Sequence, residues 1–198
     1  MVMESPATAE RKTRADVIRN RARLLDCATE AFSEKGIDAS LEEIARQAGV
    51  GIGTLYRHFP TRDALIEAVY RNHVELLCNA VDELLAELPA DQALAEWMQR
   101  FVSYVATKRG MASALHSMMG EDRSLFDDCR VQMNDAAARL LRAGRDAGVI
   151  RGDVEPADLL RAMGGICLAT NEATWPDQAR PLVSLLLDGL RFGAPAPG

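Results

Sequence analysis

The sequence has 198 residues, of which 48% are hydrophobic, 26% charged and 5% aromatic, a composition that fits one or two globular domains and disfavours a β-rich fold. No apolar run approaches the roughly 18 residues of a membrane helix, and residues 1–14 lack the apolar core of a secretory signal, so we expect no membrane contact. The four scattered cysteines form no CxxC pair, which argues against structural zinc and disulfides and for the cytoplasm.

Charge is distributed unevenly along the sequence. Residues 1–60 balance nine Lys/Arg against nine Asp/Glu, so the remaining residues carry the whole net charge of −6. Residues 1–14 are predicted to form a disordered basic arm, and Glu10–Arg23 holds six basic residues against only two acidic ones. Such a run suits an anionic polymer, and it is equally typical of a solvated tail.

Two short helices are predicted to follow a longer one. Apolar residues recur at helical spacing from about Asp16 to Phe32, and Gly36 predicts the end of that helix. A capping box at Ser40 starts the first short helix, and Gly49 ends it. A second short helix is predicted from about residue 52 to 58. This succession of helix, tight turn and helix indicates a helix-turn-helix motif over residues 40–59.

The second short helix has an apolar side and a polar side. Leu55 belongs to the core, while Thr54, Tyr56, Arg57 and His58 make up the outward face. Hydroxyl, guanidinium and imidazole groups donate hydrogen bonds to phosphate oxygens, and a helix fits the major groove of B-DNA. Two alternatives stay open, because Tyr56 could be a half-buried core aromatic and Arg57 a surface cation without a base contact.

The rest of the sequence is also predicted to be helical. A cap at Thr61 starts a long helix that reaches about Glu87, where Pro89 terminates it. Further helices are predicted over about 91–108, 111–119, 124–147, 156–171 and 177–192. No segment has the alternation of a strand, so we predict an all-α fold.

The segment Gly49–Phe59 resembles the recognition segment of the TetR family of transcriptional repressors. The spacing of Ala28, Phe32 and Gly36 before it is similar too, and the likeness covers roughly residues 18–70. It implies a three-helix DNA-binding domain with a helix-turn-helix over residues 15–60, and a helical bundle for ligand binding and dimerisation over 61–198. The resemblance implies these DNA-binding residues: Ser40, Ile52, Gly53, Thr54, Tyr56, Arg57, His58 and Arg62.

The last two helices are candidates for a dimer interface. Leucines cover nearly all sides of the last helix, and Gly164-Gly165 in the helix before it permits close backbone approach. Two such helices, doubled by two-fold symmetry, would form the homodimer that the family resemblance implies. Both helices could instead be ordinary intrachain core. The predicted interface residues are Leu159, Met163, Ile166, Leu182, Leu186 and Leu190.

Methionines and aromatic residues of the second half indicate an adaptable apolar cavity for a small-molecule effector. Methionine also serves as a gap filler in ordinary cores, and that alternative stays open for each position. The candidate ligand residues are Trp97, Phe101, Met111, Leu115, Met118, Phe126, Met133, Asn171 and Trp175.

We therefore predict a ligand-responsive repressor that binds a double-stranded DNA operator and needs no cofactor. The resemblance implies that ligand shifts the long fourth helix and so separates the two recognition helices of the dimer. Two alternatives remain: a helix-turn-helix regulator controlled by a protein partner, and an all-α enzyme. The sequence has no HExxH, no GxSxG and no glycine-rich phosphate loop, and no other set of residues with a known catalytic spacing.

Overall fold

The computed structural model describes residues 6–118, 124–169 and 175–193, with side chains from residue 15 onward. Within these ranges the chain is helical and contains no strand, which confirms the predicted all-α fold. A 3-10 turn, Gly36–Asp38, follows the first helix. The α-helices are α1 (Pro6–Lys35), α2 (Leu41–Gln47), α3 (Ile52–His58), α4 (Arg62–Glu87), α5 (Ala90–Gly110), α6 (Ala112–Met118), α7 (Ser124–Asp146), α8 (Pro156–Ala169) and α9 (Trp175–Arg191).

The first helix is longer than the sequence indicated. Helix α1 begins at Pro6, so residues 6–14 are helical where a disordered arm was expected. Proline fits the first position of a helix, because its missing N–H would have no intrahelical partner there. The alanine, glutamate, arginine and lysine residues that follow are strong helix formers. Their high charge predicted disorder, but their intrinsic propensity favours a helix.

The chain divides into two compact units, and the division falls inside α4. The N-terminal unit comprises Met1–Tyr70 and Arg109–Ser117, and the C-terminal unit comprises Arg71–Lys108 and Met118–Gly198. The family resemblance had implied a boundary at residue 60. Residues 109–117 join the N-terminal unit because they pack against α1: a Cβ atom on Gly110 would lie 2.1 Å from the carbonyl oxygen of Phe32. Only glycine allows this close approach.

The core of the C-terminal unit is built around α5. Trp97 is fully buried, and its indole N–H donates to the carbonyl of Leu77 at 2.9 Å, so burial leaves no donor unsatisfied. Helix α9 is tied to α5 by an ion pair between Arg191 and Asp91 at 2.6 Å. None of the described helices is long and apolar enough to cross a membrane.

Candidate DNA-binding surface

A glycine turn fixes the angle between α2 and α3. Gly49 has a φ of +68°, in the left-handed region that favours glycine. Its N–H donates to the carbonyl of Arg46 at 3.1 Å, and the N–H of Val50 donates to the carbonyl of Ala45 at 3.0 Å. This pair of hydrogen bonds is a Schellman motif, which satisfies the last carbonyls of α2 and turns the chain into α3.

Helix α3 buries one side and exposes the other. Leu55 is fully buried, and Phe59 directly after the helix is 2% exposed. Tyr56 is 45% exposed, and Arg57 is also exposed. At this exposure the half-buried alternative for Tyr56 stays open, and its phosphate contact stays a prediction. The structure leaves the role of Arg57 open, since an exposed guanidinium suits a base contact and a solvated surface equally.

The other predicted contacts on α3 lie at the border of this exposed side. Ile52, Thr54 and His58 are partly exposed, and Gly53 is exposed. A Cβ atom on Gly53 would meet nothing within 4 Å, so packing within the chain does not demand glycine there. The structure thus brings the predicted residues of α3 together on one accessible surface.

Ser40 caps α2 as predicted, and its hydroxyl group bonds to both glutamates of the first turn. Its Oγ accepts the N–H of Glu43 at 3.3 Å and donates to the carboxylate of Glu42 at 3.0 Å. Hydrogen bonds from its own backbone N–H and from Ser40 lower the pKa of Glu42. The first turn of α2 carries Glu42 and Glu43, and Glu43 pairs with Arg46 at 2.7 Å. The phosphate contact that the family resemblance implied at Ser40 stays a prediction.

Arg62 makes a structural contact that the resemblance did not imply. Its guanidinium donates to the carbonyls of Ile37 at 2.5 Å and Ala39 at 2.8 Å. The side chain thus ties the start of α4 to the segment that leads into α2. One Nη atom is committed to two backbone acceptors, and the other N–H donors of the guanidinium are outside these bonds. The phosphate contact that the resemblance implied for Arg62 therefore stays a prediction.

Two arginines of α1 lie beside the helix-turn-helix and were not among the predicted contacts. The guanidinium of Arg21 lies over the ring of Phe59, 5.5 Å from its centroid. That of Arg23 lies over the turn, since a Cβ atom on Gly49 would be 2.5 Å from its Nη2. The basic run in Glu10–Arg23 was the available signal, but its spacing alone does not show which arginines reach the motif.

The candidate ligand residues are mostly buried and fall in both units. Met111 and Leu115 belong to the N-terminal unit, and Asn171 lies outside the described residues. Trp97, Phe101, Met133 and Trp175 of the C-terminal unit are buried, while Met118 and Phe126 are partly exposed.

A surface groove of about 350 Å³ lies between α4 and α5 in the C-terminal unit. Its described lining includes His73, Leu76, Arg100 and Tyr104, and none of the candidate ligand residues. Phe101 lies just behind it, with its ring centroid 5.5 Å from that of Tyr104. The groove is thus adjacent to part of the predicted aromatic set, whereas the sequence predicted a cavity lined by that set.

The predicted dimer residues divide between two faces of α8 and α9. Leu159, Met163 and Leu190 are buried by the chain itself, so their side chains are unavailable to a second subunit, and we correct their assignment to intrachain core. Ile166 and Leu186 are partly exposed, and Leu182 is 40% exposed. Two further leucines on these helices are more exposed and were not in the predicted interface set: Leu168 at 69% and Leu185 at 68%.

The cysteines are free thiols, of which Cys129 and Cys167 are buried and Cys27 and Cys78 partly exposed. Burial, followed by the influence of Cys129 and Asp135, raises the pKa of Cys78 to about 11. Within the described residues no three His, Cys, Asp or Glu side chains come together as a metal site.

Comparisons with known proteins assign both halves of the chain. Residues 24–69 match the family profile described as bacterial regulatory proteins, tetR family, and residues 89–192 match the C-terminal domain of SbtR-like transcriptional regulators. The TetR transcriptional regulator SCO0520 from Streptomyces coelicolor is 47% identical, with a TM-score of 0.80 over 86% of this chain and 98% of that one.

Two further similarities extend over most of the chain. The structure of a TetR transcription regulatory protein from Mycobacterium vanbaalenii is 33% identical, with a TM-score of 0.75, and covers 90% of this chain and 99% of its own. The HTH-type transcriptional repressor KstR2 of Rhodococcus jostii is 23% identical over 86% of this chain and 90% of its own length. The similarity therefore includes the C-terminal unit as well as the helix-turn-helix.

Proposed function

The chain belongs to the TetR family of bacterial transcriptional regulators, and from this premise we propose that it represses genes by binding a DNA operator until a mainly apolar small molecule releases it. The observation that carries the proposal is the exposed side of α3, where Tyr56 and Arg57 are accessible opposite the buried Leu55. The operator of a bacterial regulator lies in the cytoplasm, and we assign the protein to that compartment.

On the operator, the two subunits of a homodimer place their α3 helices in successive major grooves, about 34–36 Å apart. Thr54, Tyr56 and His58 donate to phosphate oxygens and fix the position of the helix. Ile52, Gly53 and Arg57 lie toward the base edges and supply the sequence preference.

The dimer interface in this proposal is the outward side of α8 and α9. Leu182, Leu185 and Gly189 recur at helical spacing on α9, and a Cβ atom on Gly189 or on Gly165 of α8 would meet nothing within 4 Å. Exposed leucines beside open glycines permit close packing against the same helices of a second subunit. Burying Leu168 in the same interface removes another large apolar side chain from water.

The effector site in this proposal includes the groove between α4 and α5. Leu76 and Tyr104 provide an apolar floor, and His73 and Arg100 provide polar groups at its edge. A ligand with a large apolar part and few polar atoms fits such a lining. Because α4 forms one wall, an occupant contacts that helix directly.

Helix α4 then transmits the effect of binding. It contributes residues to both units, and Arg62 at its start holds the carbonyls of Ile37 and Ala39 ahead of α2. A shift of α4 therefore moves the segment that leads into the helix-turn-helix. A ligand that favours the shifted state by about 2.7 kcal/mol weakens operator binding about a hundredfold.

The test is a titration of small molecules against the protein bound to a duplex that the wild-type chain has selected from random-sequence DNA. We expect compounds from a library of mainly apolar molecules to release the duplex. Leu76→Ala should raise the concentration of compound needed for release while leaving duplex affinity without compound unchanged.

Val131→Ala is the matched control, because Val131 and Leu76 are similarly exposed, at 66% and 60%, and Val131 lies outside the groove lining. The Val131→Ala variant should release the duplex at the same concentration of compound as the wild-type chain. If the whole library leaves the duplex bound, the ligand part of the proposal fails. If Leu76→Ala and Val131→Ala release the duplex at the same concentration of compound, the groove assignment is wrong.

A further inference from the structure

We propose that α1 supplies a second DNA-binding element, in which Arg21 and Arg23 bind backbone phosphates on either side of the recognition helix. The inference rests on the proposed operator binding by α3 and adds residues outside the helix-turn-helix. The partner is the sugar-phosphate backbone of duplex DNA, so the contribution is independent of base sequence.

Position is the first argument. Arg21 lies over the ring of Phe59, the residue that directly follows α3, and Arg23 lies over Gly49, in the turn that precedes α3. The two guanidinium groups therefore flank the two ends of the helix whose exposed side carries Tyr56 and Arg57. Both arginines are exposed to solvent.

The second argument is that the guanidinium groups of Arg21 and Arg23 are not paired with carboxylates of the described residues. Three other arginines of the N-terminal unit are engaged: Arg19 pairs with Asp16, Arg46 with Glu43, and Arg62 binds backbone carbonyls. Among the described residues, no carboxylate pairs with Arg21 or Arg23. The ring of Phe59 leaves the N–H groups of Arg21 available, since stacking on an aromatic face uses none of these donors. A guanidinium with free donors matches the geometry of a phosphate group.

Continuity along α1 is the third argument. The helix extends from these arginines back to Pro6, and in the sequence Arg11, Arg14 and Arg21 recur at helical spacing. A basic helix of this length can follow the DNA backbone beyond the groove that α3 occupies. The residues after 60 carry a net charge of −6, whereas Glu10–Arg23 of α1 holds six basic residues against two acidic ones.

The experiment measures duplex affinity from 50 mM to 200 mM salt, for the selected duplex and for a mixed-sequence duplex of the same length. Each lost phosphate contact should reduce the slope of log affinity against log salt by about 0.9. Arg21→Gln/Arg23→Gln removes two contacts from each subunit of the proposed dimer and should therefore reduce the slope by about 3.6. Over this range the affinity of the wild-type chain should fall roughly a hundredfold more than that of the double variant, on both duplexes.

Two variants separate a DNA contact from a change in net charge and from a folding role. Arg130→Gln/Arg142→Gln removes two exposed arginines of α7 in the C-terminal unit and should keep the wild-type slope. Arg21→Lys/Arg23→Lys keeps both charges and should restore most of the slope lost with glutamine. Thermal melting of each variant shows whether the fold has changed.

The outcomes distinguish this inference from the proposed function. If the wild-type chain binds neither duplex, the proposed operator binding is wrong, and so is the proposed role of α1. If the wild-type chain binds and Arg21→Gln/Arg23→Gln keeps the wild-type slope, only the role of α1 is overturned. A lowered melting temperature with an unchanged slope would assign these arginines to stability of the helix-turn-helix alone.

Discussion

The exposed side of α3 and the exposed sides of α8 and α9 have opposite chemistry. The first presents a phenol, a guanidinium and a partly exposed imidazole around Tyr56, Arg57 and His58, while the second presents leucines such as Leu168 and Leu185. A polar surface gains most from a partner that carries charge, and an apolar surface gains most from another apolar surface. One chain therefore carries a face suited to a polyanion and a face suited to its own copy.

The two faces also differ in how their partner would be held. Contacts with phosphates weaken with salt, because counterions compete for the same charges. Burial of leucines is insensitive to charge screening and is strengthened by salts that are excluded from protein surfaces. We therefore expect that raising the salt concentration releases DNA before it dissociates the dimer.

The largest expected effect comes from a charge in the apolar face. Leu185→Asp would bury an unpaired carboxylate in the proposed interface, and such a charge is strongly destabilising there. We expect monomers in light scattering and a loss of operator affinity of roughly 100-fold or more, because two half-sites no longer act together. Val131→Asp, at an equally exposed position of α7, is the control and should remain dimeric. A folded, dimeric Leu185→Asp variant would exclude this face of α9 as the interface.

The next effect concerns the polar face. Tyr56→Ala with His58→Ala removes two proposed donors to phosphate, and a hydrogen bond to a charged group contributes about 1.5 kcal/mol or more. We expect duplex affinity to fall at least about a hundredfold, by the same factor for selected and mixed-sequence duplexes, since phosphates carry no base information. The dimer should stay intact in light scattering. Unchanged affinity would show that this side of α3 does not contact DNA.

The sequence specified the polar face more sharply than the apolar one. In α3 a single core leucine, Leu55, and the following Phe59 define the buried side, so the exposed side follows from helical geometry. In α9 leucines occupy several sides, and periodicity alone cannot tell which side meets the chain's own core. Leu190 was consequently assigned to the interface, whereas the structure buries it.

Contacts between distant parts of the chain were beyond sequence reasoning altogether. Arg62 binds the carbonyls of Ile37 and Ala39, which precede it by more than twenty positions, so no local pattern indicates the bond. The same holds for Gly110. A side chain at this position would clash with the carbonyl of Phe32, and no local pattern indicates that contact. Local capping, by contrast, was predicted at Ser40 and Gly49, and the structure contains both features.

A smaller effect separates folding from DNA contact at two equivalent glycines. Gly49 and Gly148 have φ values of +68° and +69°, and each ends its helix with the same pair of Schellman hydrogen bonds. Alanine at either position should destabilise the fold by about 1–2 kcal/mol, because its side chain disfavours left-handed backbone. Gly49→Ala should also displace the guanidinium of Arg23 and weaken duplex binding, whereas Gly148→Ala should lower only the melting temperature. Equal duplex affinity in the two variants would contradict the placement of Arg23 at the DNA.

The smallest expected effect is confined to alkaline solution and to the C-terminal unit. The pKa of Cys78 is raised from an ordinary value of 9.0 to about 11, chiefly by burial. The folded chain therefore holds this thiol protonated where the unfolded chain ionises it. The resulting stability is fully present below about pH 9 and is lost as the pH rises toward 11.

Cys78→Ala removes this titration, so the difference in unfolding free energy between wild type and variant should be constant below pH 9 and shrink above it. Urea unfolding at pH 8, 9 and 10 measures the difference. Cys27→Ala in the N-terminal unit is the comparison: the pKa of Cys27 is raised too, by slight burial and by Glu30 and Asp26. We expect a weaker pH dependence there, because a more solvated thiolate is less costly. Parallel curves for wild type and Cys78→Ala from pH 8 to 10 would show that this thiol is as well solvated in the folded chain as in the unfolded one.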